Sequence, residues 1–164
     1  MNVTIRQALW HQFGAAIDTL KKSTQLCPEQ LWYDQETSHP FWYVTSHTLF
    51  WLDYYLTADP DSYRPPEPFG LEELDPAGVI PDPPYSKEQL LDYLEYSRER
   101  CREIVLNLTE EQAGRPFKFP SFDMPYVELL LYNLRHVQHH SAQLILILRQ
   151  RIDATPGWVS RAGR

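Results

Sequence analysis

The sequence predicts an all-α protein built as a four-helix bundle. Three observations support this fold class: four segments repeat apolar residues every three or four positions, no segment sustains the alternation of a strand, and a long proline-rich stretch separates the helical segments into two pairs. The chain has 164 residues, 43% of them hydrophobic and 23% charged, which suffices for one core. Residues 1–164 are therefore predicted to form a single domain.

The N-terminal half predicts two helices joined by a short link. The first spans about residues 3–25 and ends before Cys27 and Pro28. The second runs from Pro40, a favourable first-turn residue, to Pro60, and it is unusually aromatic. The apolar stripe of the first helix comprises Ile5, Leu9, Phe13, Ala16, Ile17 and Leu20.

Eight of the 14 prolines lie between Pro60 and Pro84, and this stretch predicts a long loop between the second and third helices. The stretch is long enough to run the length of a bundle, so the two helices that it joins can be parallel neighbours. Its apolar residues suggest that it lies against the helices and is not a domain linker. These residues are Phe69, Leu71, Leu74, Val79 and Ile80.

The C-terminal half predicts two more helices. The third spans about residues 86–107 and opens with Ser86 and Gln89, spaced as a capping box. The same spacing in Thr109 and Gln112 predicts a short helical turn before a loop over residues 116–125. The fourth helix spans about residues 125–151, and because more than half of its circumference is apolar, it is predicted to be the most buried.

Charge and cysteine usage exclude several classes of protein. The chain has 15 Lys and Arg against 22 Asp and Glu, a net charge of -7, and no basic run, which disfavours nucleic-acid binding and a polybasic membrane anchor. No signal peptide is visible, and the aliphatic runs are too short to span a membrane. Cys27 and Cys101 have no paired spacing, which predicts reduced thiols in a cytoplasmic protein and no catalytic cysteine.

Three of the six histidines are predicted to point into the bundle. His136 and His140 are one helical turn apart on the apolar face of the fourth helix, and His47 lies on the apolar face of the second. Buried imidazoles need partners for both ring nitrogens, and a divalent metal satisfies one nitrogen of each ring. The sequence therefore predicts a metal site formed by these three residues, with one coordination position left open for a reaction.

The pattern also has simpler interpretations. A histidine pair at this spacing often consists of amphipathic side chains at a bundle rim. His139 lies off the apolar face and is predicted to cover the site, or to replace a ligand if the helical phase is different. His11 and His39 are predicted not to be ligands. Tyr43, Tyr54 and Asn133 are predicted to orient a substrate or, alternatively, to pack in the core.

Two segments resemble the DinB/YfiT-like superfamily. The first is His47-Thr48-Leu49-Phe50-Trp51-Leu52, and the second is His136-Val137-Gln138-His139-His140-Ser141-Ala142-Gln143-Leu144. The family signature in the last helix is often written H-x-x-x-H-R-G-Q. Here Ser141 and Ala142 stand at the Arg-Gly positions, and Gln143 is kept. The resemblance covers nearly the whole chain.

The resemblance implies an up-down-down-up four-helix bundle that binds one divalent metal, commonly zinc or nickel, through three histidines. Carried over, these are His47, His136 and His140. Related proteins include transferases and isomerases that use low-molecular-weight thiols, and many are homodimers. We therefore expect a metal-dependent thiol S-transferase acting on a small electrophile; a metal-dependent hydrolase and a non-catalytic stress-related metal-binding protein remain the alternatives.

Overall fold

The computed structural model describes residues 1–36, 39–57, 60–119 and 122–163. Four long helices dominate it: α1 (Val3–Leu26), α3 (Phe41–Tyr55), α4 (Lys87–Asn107) and α6 (Tyr126–Ile152). The short helices α2 (Glu29–Trp32) and α5 (Glu110–Gly114) lie in the links. Both α1 and α3 pack against both α4 and α6, so the apolar faces of all four meet in one core. The protein is therefore mostly helical, as predicted.

Local sequence signals explain several helix ends. The Asn2 side chain accepts a hydrogen bond from the Thr4 amide at 2.7 Å at the start of α1. Capping boxes open α4 at Ser86 and α5 at Thr109, which confirms both predicted spacings. Helix α6 ends at Ile152, and its C-cap residue, Asp153, adopts a left-handed conformation with φ 51°.

Helix α3 ends earlier than predicted. The aromatic pattern placed its end near Pro60, whereas the structure ends it at Tyr55. Side chains from other helices donate hydrogen bonds to backbone carbonyls at this end of α3. The Tyr126 hydroxyl donates to Leu56 O at 3.0 Å, and the Arg100 guanidinium donates to Asp53 O at 3.3 Å. The backbone therefore need not continue as a helix to satisfy these groups.

Residues predicted as a plain loop before α6 form a small hairpin. Strands β1 (Pro116–Phe119) and β2 (Phe122–Pro125) pair antiparallel. Phe117 is buried and Lys118 is exposed, so the strand alternates, but over only four residues. A pattern that short does not stand out in the sequence, which is why the prediction was wrong here.

The prediction of the most buried helix was also wrong. In α3, 11 of 15 residues are buried, whereas in α6 only 8 of 27 are. Two apolar residues of α6, Leu131 and Leu146, are about half exposed, at 50% and 54%. Helix α3 is covered by aromatic rings from outside the long helices, including Tyr63 from the connection and Phe119 from the hairpin.

The connection between α3 and α4 touches the helices through aromatic residues. Tyr63 is buried, and the ring of Phe69 stacks on Tyr93 of α4 with centroids 4.4 Å apart. The other apolar residues predicted to face the helices, Leu71, Leu74, Val79 and Ile80, are 37–49% exposed. Between these residues, a 3-10 turn over Glu72–Leu74 brings Glu73 to α3.

The residues after α6 return along α1. The amide of Ala162 donates to His11 O at 2.9 Å, and the amide of Gly163 donates to Asp18 Oδ2 at 2.8 Å. Arg98 of α4 pairs with the same aspartate. A Cβ atom at Gly14 would lie 2.6 Å from the Ala162 Cβ, so glycine at this position permits the close approach. Searched across the described ranges, the chain has no helix long and apolar enough to cross a membrane.

Candidate metal centre

The structure brings together the three histidines that the sequence singled out. His47 lies in the middle of α3, and His136 and His140 lie one turn apart on the face of α6 that packs toward it. The centroids of the three rings are 4.5–5.4 Å apart. One nitrogen from each ring can be chosen so that all three lie within 4.8 Å of one another. Two distant segments of chain therefore supply one cluster of nitrogen ligands.

The spacing and the donor set fit a divalent metal. His47 Nε2 and His136 Nε2 are 3.4 Å apart. Two ligand atoms bound at 2.0–2.1 Å to a tetrahedral ion lie about 3.3–3.4 Å from each other. Two nitrogen lone pairs at this distance repel unless a proton or a cation lies between them. All three rings are partly buried, and imidazole nitrogen is a common ligand for zinc, nickel, copper and iron.

The other nitrogens of two rings are held by oxygen acceptors. His47 Nδ1 lies 2.7 Å from Glu73 Oε2, and His140 Nδ1 lies 2.7 Å from Gln143 Oε1. Since a carboxylate and an amide oxygen can only accept, each Nδ1 carries the proton. This assignment leaves Nε2 of both rings with the lone pair that a metal binds.

His136 is more deeply buried than His140. Within the described part of the chain its Nδ1 is buried and makes no hydrogen bond. Burial, followed by the charges of the neighbouring histidines, lowers the pKa of His136 to about 3. Burial also lowers the pKa of His140, although the hydrogen bond to Gln143 opposes the shift. Both rings are therefore neutral at pH 7, which is the form that binds metal.

The low pKa of His136 makes the stability of the metal-free protein depend on pH. In the unfolded chain this histidine takes up a proton below about pH 6.5, whereas in the folded chain it does not until about pH 3. Protonation therefore favours the unfolded state as the pH falls, and the free energy of unfolding has its full value only above about pH 6.5. We expect protonation of His136 in the unfolded chain to lower the free energy of unfolding by up to about 2 kcal/mol between about pH 7 and pH 5.

Urea denaturation of the chelator-treated protein and of His136→Leu at several pH values checks this expectation. Leucine cannot titrate, so the stability of the variant should fall less than that of the parent as the pH is lowered. Parallel curves for the two proteins would contradict the assignment of a neutral, buried His136.

Sequence reasoning missed Glu73. It lies in a segment without helical periodicity, so no pattern indicated that its side chain would reach α3. Its Oε2 accepts from the Trp51 indole Nε1 at 3.2 Å as well as from His47. Only an adjacent pair of acidic residues in a proline-rich stretch that holds other charged residues was visible in the sequence.

The remaining candidates lie outside the set of three converging nitrogens, although the ring centroid of His139 is 5.0 Å from that of His140. His139 is exposed, with Nε2 3.3 Å from Gln143 Nε2, so the predicted helical phase is confirmed. His39 is exposed and its ring stacks on Tyr43. Tyr54 packs among aromatic rings in the core, and Asn133 donates to Leu52 O at 2.9 Å. Of the three residues considered for orienting a substrate, Tyr43 alone is near the cluster, with its ring 6.3 Å from that of His47.

Two cavities border the cluster. One of about 240 Å³ is lined by His39, Tyr43, Val44, His47, His140 and Gln143. A wider one of about 590 Å³ runs along α6 past His136 and includes Arg135 and Tyr132. The first cavity gives a small molecule access to two of the three rings. Its lining is aromatic, aliphatic and polar, with no carboxylate side chain.

Both cysteines are unsuited to nucleophilic catalysis, as predicted. Cys27 and Cys101 are free and buried. Burial raises the pKa of the Cys27 thiol to about 12, and burial raises that of Cys101 as well. Neither forms a thiolate at neutral pH, so neither serves as a nucleophile.

The fold and the converging imidazoles define a helical protein with a candidate site for a divalent metal. A family model described as the DinB superfamily matches residues 6–144, a span that includes all three histidines. The chain therefore belongs to the DinB superfamily, in agreement with the resemblance of its two histidine segments. No curated protein matches the chain.

Proposed function

We propose that this protein binds one divalent metal ion, zinc or nickel, through His47, His136 and His140. The observation that carries the proposal is the convergence of three ring nitrogens within 4.8 Å. Membership of the DinB superfamily supports the same site. The acceptors on the Nδ1 atoms of His47 and His140 add a third line of support, because metal-binding histidines commonly donate their second nitrogen to such groups.

We further propose that the site transfers a low-molecular-weight thiol to a small electrophile. A bound divalent cation would lower the pKa of a thiol or a water at the remaining coordination position. In the transfer, a bond forms between the thiol sulfur and an electrophilic carbon, the leaving group departs with its bonding electrons, and the thiol proton passes to solvent. The cavity of about 240 Å³ beside His47 and His140 offers room for the electrophile.

The residues around this cavity suit thiol transfer better than hydrolysis. Burial and the Glu73 carboxylate, to which its hydroxyl hydrogen-bonds, raise the pKa of Tyr43, so this hydroxyl stays protonated and does not act as a base toward water. Hydrolysis is assisted by a general base near the attacking water. The cavity lining holds no carboxylate, and Glu73, which contacts His47, already accepts hydrogen bonds from His47 and Trp51. A thiolate needs no further base.

The test is a comparison of metal-loaded and chelator-treated protein. We expect the loaded protein to consume a low-molecular-weight thiol in the presence of a chromogenic halodinitrobenzene, and the chelated protein to return to the uncatalysed rate. Hydrolysis of an activated ester without thiol consumption would favour the hydrolase. Metal binding with neither reaction in a panel of thiols and electrophiles would favour a non-catalytic metal-binding protein.

Three finer predictions accompany this function. The up-down-down-up bundle is supported by the packing of both α1 and α3 against both α4 and α6. A cytoplasmic location is supported by the two free cysteines. A homodimer is implied by the family resemblance, and size-exclusion chromatography with light scattering measures it directly.

A further inference from the structure

Among the residues that the structure describes, Glu73 is the carboxylate of the connection between α3 and α4 that hydrogen-bonds to the histidine cluster. Its Oε2 lies 2.7 Å from His47 Nδ1 and 3.2 Å from Trp51 Nε1, both on α3. The Tyr43 hydroxyl also hydrogen-bonds to it. Its side chain is only 12% exposed, whereas the His47 ring is 27% exposed. Three donors from one face of α3 therefore fix this side chain.

The charge of Glu73 is not balanced by a basic side chain. Among the ion pairs of the described residues, its sole partner is His47, and no Lys or Arg side chain pairs with it. A carboxylate removed from water is costly unless a positive charge lies near it. A cation bound to the far nitrogen of the His47 ring would supply that charge through the imidazole. The arrangement of carboxylate, histidine and cation is a recurrent one in metal sites.

We propose that Glu73 is a positioning residue for the metal site, an inference that rests on the proposed function. By accepting the Nδ1 proton, it holds His47 in the tautomer whose Nε2 lone pair faces His136. It also sets the rotation of the ring and increases the basicity of Nε2. With three neutral imidazoles, a divalent cation and this carboxylate, the net charge of the site is +1, which favours a singly charged anion such as a thiolate or hydroxide at the open position.

The same contact joins the proline-rich connection to the site. Glu73 lies in the 3-10 turn at Glu72–Leu74; Leu71, just before the turn, and Leu74, its last residue, are exposed. The hydrogen bonds from α3 therefore hold this turn in place, because the turn buries little apolar surface of its own. A ligand that fixes the His47 ring would also order the turn.

Two substitutions test the role of Glu73. Glu73→Ala removes the acceptor and the charge, whereas Glu73→Gln keeps an acceptor oxygen and removes the charge alone. We expect the dissociation constant for Zn²⁺, measured by competition with a chromophoric chelator, to rise about 10- to 100-fold in Glu73→Ala and by a smaller factor in Glu73→Gln. Glu72→Gln makes the same charge change in the same turn and should bind Zn²⁺ as the parent does.

A second readout is the tautomer of His47, measured by ¹⁵N NMR of the imidazole nitrogens in the metal-free protein. If Glu73 only stabilised the fold, its replacement would leave the His47 tautomer unchanged. We expect His47 to carry its proton on Nδ1 in the parent and to lose this preference in Glu73→Ala. Unchanged Zn²⁺ affinity in Glu73→Ala would overturn the inference, as would equal weakening in Glu72→Gln. If Glu73→Ala does not fold, the Zn²⁺ affinity of Glu73→Gln tests the inference in the same way. A parent that binds no Zn²⁺ would instead contradict the proposed function.

Discussion

Replacing Asp53 with alanine is expected to lower the free energy of unfolding by about 3–5 kcal/mol. Asp53 is fully buried in α3, and its Oδ2 accepts from the hydroxyls of Tyr63 at 2.9 Å and Tyr93 at 3.2 Å. It also pairs with Arg100 of α4. The substitution would leave the guanidinium without its carboxylate partner and the two hydroxyls, which are 3.0 Å apart, with only each other as partners. A loss of that size is a large fraction of the about 5–15 kcal/mol by which domains are stable.

Urea denaturation of Asp53→Ala against the parent measures this loss. Asp92→Ala is the matched control, because Asp92 is exposed on α4 and its removal should change stability by less than about 0.5 kcal/mol. In the double variant Asp53→Ala with Arg100→Met, part of the stability should return, since no unpaired guanidinium is left. A loss below about 1 kcal/mol in Asp53→Ala would show that the buried group is not what joins α3 to α4.

Replacing His136 with alanine is expected to weaken metal binding by at least about 100-fold, more than the change expected for a residue that only supports a ligand. His136 Nε2 lies 3.4 Å from His47 Nε2, and the neutral state of the His136 ring favours metal binding at pH 7. The adjacent exposed residue provides the control: His139→Ala removes a histidine from the same turn of α6 and should keep the affinity of the parent.

Metal content after dialysis, measured by mass spectrometry on protein without a histidine tag, checks the expectation. Melting curves add a second readout: zinc should raise the melting temperature of the parent and of His139→Ala, because it binds the folded state, but not that of His136→Ala. If His139→Ala loses the metal and His136→Ala keeps it, the ligand set has been assigned to the wrong face of α6.

The histidine cluster was predictable because its signal is periodic. Helical spacing places His136 and His140 on the apolar face of α6, and the same reasoning places His47 inward on α3. The capping boxes at Ser86 and Thr109 were equally visible, since they depend on residues three positions apart. Local rules of this kind determine which side chains lie on the apolar face of one helix. Packing of these faces in one core then brings those side chains together.

The parts that sequence reasoning missed depend on contacts between segments. Glu73 reaches His47 from a stretch without periodicity, and the Tyr126 hydroxyl donates a hydrogen bond to Leu56 O just after the end of α3. The burial of α6 was overestimated because apolar composition does not reveal that Leu131 and Leu146 lie on the outside. None of these contacts follows from the residues of one segment alone.

The course of the chain after α6 affects how the protein can be shortened. The DinB superfamily match ends at residue 144, whereas α6 continues to Ile152 and the tail reaches Asp18 through Gly163. A fragment cut at the family boundary would lack two turns of α6, and it would expose the side of α1 on which Ala162 lies against Gly14. Such a fragment would keep all three histidines while losing part of the framework that holds them, so weak metal binding by it would say nothing about the intact site.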